Sequence, residues 1–123
     1  MKGIVLLAHG SRDPQWTVPF EQIRAEVERR LPACGTALAY LEHSQPDLMT
    51  AVDKLVNRGA TLIEVVPLFL GPGGHVRNDV PQLVEHAMAR HTKVHFLLKP
   101  FIGDARSALD AIAAYSPPDS APS

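Results

Sequence analysis

The sequence predicts an α/β fold: one flavodoxin-like domain with a four-stranded, mainly parallel sheet and helices on both faces, in the order βαβαβαβα. Short apolar runs, too continuous for strands wetted on one side, alternate with longer segments whose apolar residues recur at helical spacing. Glycine or proline punctuates most of the junctions between them. The length of 123 residues suits a single hydrophobic core and leaves no room for a second full domain.

The first strand is read over Lys2–Ala8, a run ended by Gly10. Pro14 to Arg30 carries Val18, Phe20, Ile23, Val27 and Leu31 with charges between them, which predicts a helix that Pro32 stops. Thr36–Leu41 is the second strand. Pro46 opens a second helix carrying Leu48, Ala51, Val52, Leu55 and Val56 and closed by Gly59. Thr61–Leu70 reads as strand three, with Pro67 marking its end or an irregularity. From about Asp79, Val80, Leu83, Val84, Ala87 and Met88 predict a third helix with Pro81 in its first turn. Lys93–Leu98 is strand four, and Asp104 is expected to cap a last helix bearing Ala108, Leu109, Ile112 and Ala113. The domain is thus expected over residues 1–115, with residues 116–123, rich in proline and serine, forming a disordered tail.

Hydrophobic residues make up 46% and charged residues 20% of the chain, too apolar for a disordered protein. Twelve Lys and Arg against thirteen Asp and Glu give a formal charge of −1, so no global field would draw the chain to nucleic acid or acidic lipid. Cys34 is the single cysteine and has no partner for an intramolecular disulfide. The opening apolar run is shorter than a signal peptide needs, and no run approaches the roughly 20 residues that span a bilayer. A cytoplasmic protein with no membrane partner is expected.

In open α/β sheets, ligands bind beyond the carboxyl ends of the strands. Those ends carry His9-Gly10-Ser11-Arg12-Asp13-Pro14, then Glu42-His43-Ser44, then Gly71-Pro72-Gly73-Gly74-His75-Val76-Arg77. With strand one lying between strands two and three, His9, Glu42 and His75 project from neighbouring strands roughly 4.8 Å apart. Two imidazoles and a carboxylate suit a divalent first-row metal, and three protein donors leave positions open for water or substrate.

Blander roles stand beside these. A histidine after a strand is commonly a loop or capping residue, and Ser11, outside any Gly-x-Ser-x-Gly context, suits capping or a hydrogen bond within its loop. Gly71, Gly73 and Gly74 match no phosphate-binding pattern and instead keep the third loop free of bulk for a large flat ligand. Arg12 and Arg77 flank the candidate donors and are placed to meet substrate carboxylates. His86, His91 and His95 read as surface or packing residues, and continued strand alternation would point His43 away from Glu42.

Leu6-Leu7-Ala8-His9-Gly10-Ser11-Arg12-Asp13-Pro14, Leu41-Glu42, and the segment from Pro67 through His75 to Asp79 and Pro81 resemble the CbiX/SirB class of sirohydrochlorin chelatases. The likeness covers about residues 1–115 and is to the short form, with one α/β unit where longer relatives have two. It implies a lyase that inserts Co²⁺ or Fe²⁺ into sirohydrochlorin, on the way to cobalamin or siroheme, with Ni²⁺ a further metal that such donors accept. It further implies His9 and His75 as catalytic and metal-binding residues, Glu42 completing the metal site, no permanent cofactor, and a homodimer of single units. Ser11, Arg12, Gly73, Gly74 and Arg77 are then expected to bind substrate. A tetrapyrrole or metal carrier that binds without accelerating insertion is the competing reading.

Overall fold

The computed structural model describes residues 1–71, 73 and 76–115. His75, Gly74 and Pro72 of the third loop, and the expected tail at 116–123, lie outside the described residues. The strands are β1 (Lys2–Ala8), β2 (Gly35–Tyr40), β3 (Leu62–Pro67) and β4 (His95–Leu98). The helices are α1 (Val18–Arg30), α2 (Leu48–Asn57), α3 (Val76–Arg90) and α4 (Arg106–Tyr115), with 3-10 turns at Pro14–Thr17 and Ile102–Asp104. The strands form one sheet in the order β2-β1-β3-β4, the flavodoxin-like order. All three ladders are parallel.

β1 is central, and every residue from Gly3 to Ala8 is buried, which is why its sequence reads as an unbroken apolar run. Its side chains alternate between two cores. Val5 and Leu7 join Ala39, Ile63 and Val65 under Leu48, Ala51, Val52 and Leu55 of α2 and Val80, Val84 and Ala87 of α3. Ile4, Leu6 and Ala8 join Leu38 and Tyr40 under Phe20 and Val27 of α1 and Trp16 of the turn before it. Among the described residues, no helix is long and apolar enough to cross a membrane.

Element boundaries depart from the sequence expectation where local chemistry intervenes. Asp13 accepts a hydrogen bond from the Gln15 amide at 2.9 Å, so Pro14 opens a 3-10 turn and α1 proper starts at Val18. β3 stops at Pro67, not Leu70, because proline offers the ladder no N–H. α3 begins at Val76 and places Pro81 inside the helix, since the i, i+4 pair Val76 and Val80 both pack into the core. Asp104 belongs to the second 3-10 turn and does not cap α4; the extended Ala105 separates the two.

The expectation of helices on both faces holds over β2 and β1 but not across the whole sheet. α4 buries none of its residues, and its main neighbour is the 3-10 turn before it.

Candidate functional site

β1 and β2 run in register to Ala8 opposite Tyr40, and the pairing persists past both strand ends. The Leu41 amide donates to the Ala8 carbonyl and the Glu42 amide to the His9 carbonyl, each at 3.0 Å. Backbone hydrogen bonding therefore sets Glu42 beside His9 at the carboxyl edge of the sheet. His9 follows Val5 and Leu7 toward the α2/α3 layer, and its ring meets that of Phe69 edge-on, centroids 4.4 Å apart. Phe69 is itself buried and meets Phe101 at 5.6 Å. This aromatic wedge supports the imidazole from behind and leaves it exposed to solvent.

Two backbone devices shape the loops. Gly10 has φ +97°, and a Cβ there would run into the Glu42 carbonyl, so only glycine lets the first loop cross the second so closely. His43 has φ +64°, a left-handed conformation that histidine adopts more readily than most residues. The turn there breaks strand alternation, so Glu42 lines the same cleft as His9. His43 accepts a long hydrogen bond of 3.4 Å from Arg12 at Nδ1, and its Nε2 lies 3.8 Å from Glu42. Ser44 ties the loops together: its hydroxyl accepts from the Ser11 amide at 3.1 Å and donates to the Ser11 carbonyl at 2.8 Å. The Ser11 hydroxyl accepts from the Asp13 amide at 3.1 Å. Beneath this crossing, burial pushes the Tyr40 phenol above its ordinary pKa, and its hydroxyl has no hydrogen-bond partner among the described residues.

The resulting cleft has a volume of about 650 Å³. His9, Leu41, Glu42 and Gly73 form its sheet side, and Val76, Asp79, Gln82, Leu83 and His86 of α3 form the opposite wall. Two imidazoles and two carboxylates thus line one open space over an apolar lining from Leu41, Val76 and Leu83. Nitrogen and oxygen donors of this kind accept a divalent metal, and a neutral imidazole or a carboxylate also accepts protons near neutral pH. Among the described residues, no group of three His, Cys, Asp or Glu is close enough to enclose a metal ion.

Of the residues singled out from sequence, His9, Glu42 and Gly73 line this cleft. Ser11 and Arg12 stand in the adjoining loop. Arg77 lines a separate depression of about 370 Å³ with Leu98, Lys99, Pro100, Phe101 and Asp104. His75 and Gly74 lie outside the described residues. His86, expected from sequence as a surface or packing residue, faces the cleft, and Asp79, part of the segment that carries the family resemblance, lines it as well. The signal was present in the helical spacing, because Asp79, Gln82, Leu83 and His86 sit at i, i+3, i+4 and i+7 beside the buried stripe of Val80, Val84 and Ala87.

Comparison with known proteins gives concordant results. A family model described as CbiX matches residues 3–115. A sirohydrochlorin cobaltochelatase of Priestia megaterium is 28% identical over 112 residues, which are 91% of this chain and 36% of that protein. One from Sulfolobus acidocaldarius is 35% identical over 81 residues, 66% of this chain and 64% of that protein. The chain therefore spans between about one third and two thirds of the length of these curated relatives. Among solved structures, a CbiX protein from Marinobacter aquaeolei VT8 superposes with a TM-score of 0.79 at 36% identity, covering 94% of this chain and 93% of that one. The sirohydrochlorin chelatase SirB of Bacillus subtilis subspecies spizizenii, in complex with cobalt, gives 0.80 at 25% identity, covering 92% of this chain and 48% of that one.

Proposed function

The chain belongs to the CbiX family, and from that premise we propose that it is a sirohydrochlorin chelatase, a lyase exchanging the two pyrrole N–H protons of the macrocycle for Co²⁺ or Fe²⁺. The observation that carries this reading is the Glu42 amide to His9 carbonyl hydrogen bond, which sets a carboxylate beside an exposed imidazole at the mouth of a cleft. A volume of about 650 Å³ falls within the size range of small-molecule sites. A flat macrocycle would occupy it with its rim in solvent.

His9, Glu42 and His75 hold the incoming metal in this proposal. The placement of Gly73 and Val76 supports the inclusion of His75, because both of these cleft-lining residues stand within two positions of it in sequence. The metal must lose water ligands before ring nitrogens replace them, and a set of three protein donors lets it do so in steps, keeping positions open. As the metal passes to the ring nitrogens, each imidazole it leaves, His9 and then His75, regains its lone pair and accepts one of the two N–H protons, and Glu42 passes both toward solvent. Charge balances, two protons leaving for each divalent ion. Arg12, with Ser11 and the glycines Gly73 and Gly74, binds the peripheral carboxylates, and that remote binding energy helps bend the ring toward the metal; Arg77, which lines the separate depression, stands outside this set.

A homodimer of single units is part of the same proposal. It is supported by solved relatives such as SirB, of which this chain covers 48%. The test is anaerobic incubation of the purified protein with sirohydrochlorin and Co²⁺, Fe²⁺ or Ni²⁺, followed by visible absorption against no-enzyme, His9→Ala and His75→Ala controls. Turnover above the uncatalysed rate that both substitutions abolish is expected. Stoichiometric binding with no acceleration would instead identify a carrier.

A further inference from the structure

Two apolar surfaces have no partner among the described residues. The first is the stripe of Leu109, Ile112 and Tyr115 on α4, which are 50%, 53% and 88% exposed. The second is the half of the sheet over β3 and β4 on the face that α1 covers elsewhere. Register places Leu62, Glu64 and Val66 of β3 with His95 and Leu97 of β4 on that face. Leu62 and Leu97 are 36% and 49% exposed. α1 lies over β2 and β1, and α2 and α3 lie on the opposite face. Parallel sheets are almost always covered on both faces, so this half is missing one helix. Among the described residues, α4 is the helix with nothing packed beneath it.

We propose that α4 of one copy packs across the open β3–β4 face of a second copy, reciprocally, so that the homodimer forms by exchange of this helix. The inference rests on the dimer reading above and specifies its interface. Area and charge both favour a second copy as the occupant. The three α4 side chains leave roughly 350 Å² exposed and the sheet half about as much, so two symmetric contacts bury roughly 1,400 Å² in total, the size of a standard stable interface. The one acid on the sheet face, Glu64, already has Lys2 at 3.3 Å and Lys99 at 3.9 Å, so covering it buries a compensated group. The two ends of α4 differ as well. Its start is anchored, because the Gly103 amide donates to the Phe69 carbonyl at 3.1 Å and a Cβ on Gly103 would strike the Leu70 carbonyl. That anchor is the loop whose Phe69 supports His9, so the exchanged helix grows from the back wall of the site.

Sedimentation and light scattering should show wild type as a dimer, with Leu97→Asp and Ile112→Asp each weakening association at least about 100-fold while circular dichroism stays native, since a carboxylate in an apolar contact loses its hydration. Both positions are exposed in the single chain, so its fold does not depend on them. Independently, separately purified Leu97→Cys and Ile112→Cys proteins, mixed and oxidised, should form a disulfide-linked heterodimer. A dimer that survives both Asp substitutions overturns the exchange and leaves the dimer reading intact. A monomeric wild type overturns both. If a Leu97→Cys/Ile112→Cys double variant cross-links only within one chain, the helix closes on its own sheet and the exchange is wrong. Metal insertion is measured separately, so a failure of the chelatase reading does not touch these outcomes.

Discussion

Gly10→Ala tests whether the crossing of the first two loops builds the site. Two glycines of this chain have similar positive φ values, Gly10 at +97° and Gly59 at +104°, but their surroundings differ. A Cβ at Gly59, which follows α2, meets nothing within 4 Å; at Gly10 it would overlap the Glu42 carbonyl. Both substitutions force an L-residue into the left-handed region at about 1–2 kcal/mol, and both recover about 0.4–1 kcal/mol from the stiffer unfolded chain. Gly59→Ala should therefore cost about 1 kcal/mol. Gly10→Ala adds the displacement of Glu42 and loss of its amide bond to His9, roughly a further 1–2 kcal/mol.

At about 3–5 °C per kcal/mol for a domain of this size, the melting temperature of Gly10→Ala should lie roughly 4–8 °C below that of Gly59→Ala. Metal insertion should separate the pair further. Gly59→Ala should keep wild-type turnover, whereas an ångström-scale shift between Glu42 and His9 should cost Gly10→Ala on the order of 100-fold. Calorimetry and the absorption assay on both proteins decide it. Equal melting temperatures together with full activity in Gly10→Ala would refute the reasoning.

Other consequences are as direct. Gly103→Ala should displace the Phe69–Leu70 loop, lowering insertion at least about 10-fold, because a 1 Å misplacement of a supporting wall is enough; unchanged turnover would show the anchor to be incidental. His86→Ala removes an exposed ring from the α3 wall, so insertion should fall roughly 3–10-fold with a melting shift near zero, whereas a buried structural role would move the melting temperature instead. Asp53 ties α2 to the end of α3, accepting from His91 at 2.7 Å and Arg90 at 3.0 Å; the His91 bond foremost holds its carboxyl below the ordinary 3.8. A depressed acid stabilises the fold above its unfolded-state value and loses that contribution as pH falls through the folded-state value. Asp53→Asn should thus be less stable by roughly 1 kcal/mol at pH 7, and the gap should close in denaturant titrations as pH falls below the unfolded-state value and through the depressed folded-state value.

Legibility in the sequence followed the range of the interactions involved. β1 could be read because being buried on both faces leaves an unbroken apolar run, and α2 because Leu48, Ala51, Val52 and Leu55 fall on one stripe. The flavodoxin-like order with strand one between strands two and three was an assumption the alternating pattern allows, and the sheet has it. His9 and Glu42 were legible as neighbours, since adjacent parallel strands deliver their carboxyl ends to one edge. The Ser11–Ser44 clamp and the Phe101–Phe69–His9 stack were not, because they join residues 32 and more apart through loops with no period to read. His43 misled for a related reason: strand alternation extends only while the ladder does, and one left-handed residue at the strand end redirected its neighbour.

The pattern of the last strand carries information beyond its place in the sheet. Phe96, Leu97 and Leu98 form the continuous apolar run of a strand covered on both faces. In the single chain only Phe96 and Leu98 pack against the α3 layer, and Leu97 is half exposed. A strand wetted on one face would ordinarily place a polar residue there, as neighbouring Glu64 does with its lysines. Likewise α4 carries the apolar stripe of a helix that covers a sheet, yet buries none of it. Each element is patterned for a contact the lone chain does not make, and the two patterns are complementary. The pairing of one with the other between two copies accounts for both in a single step, and it returns β3 and β4 to the two-sided burial their sequence encodes.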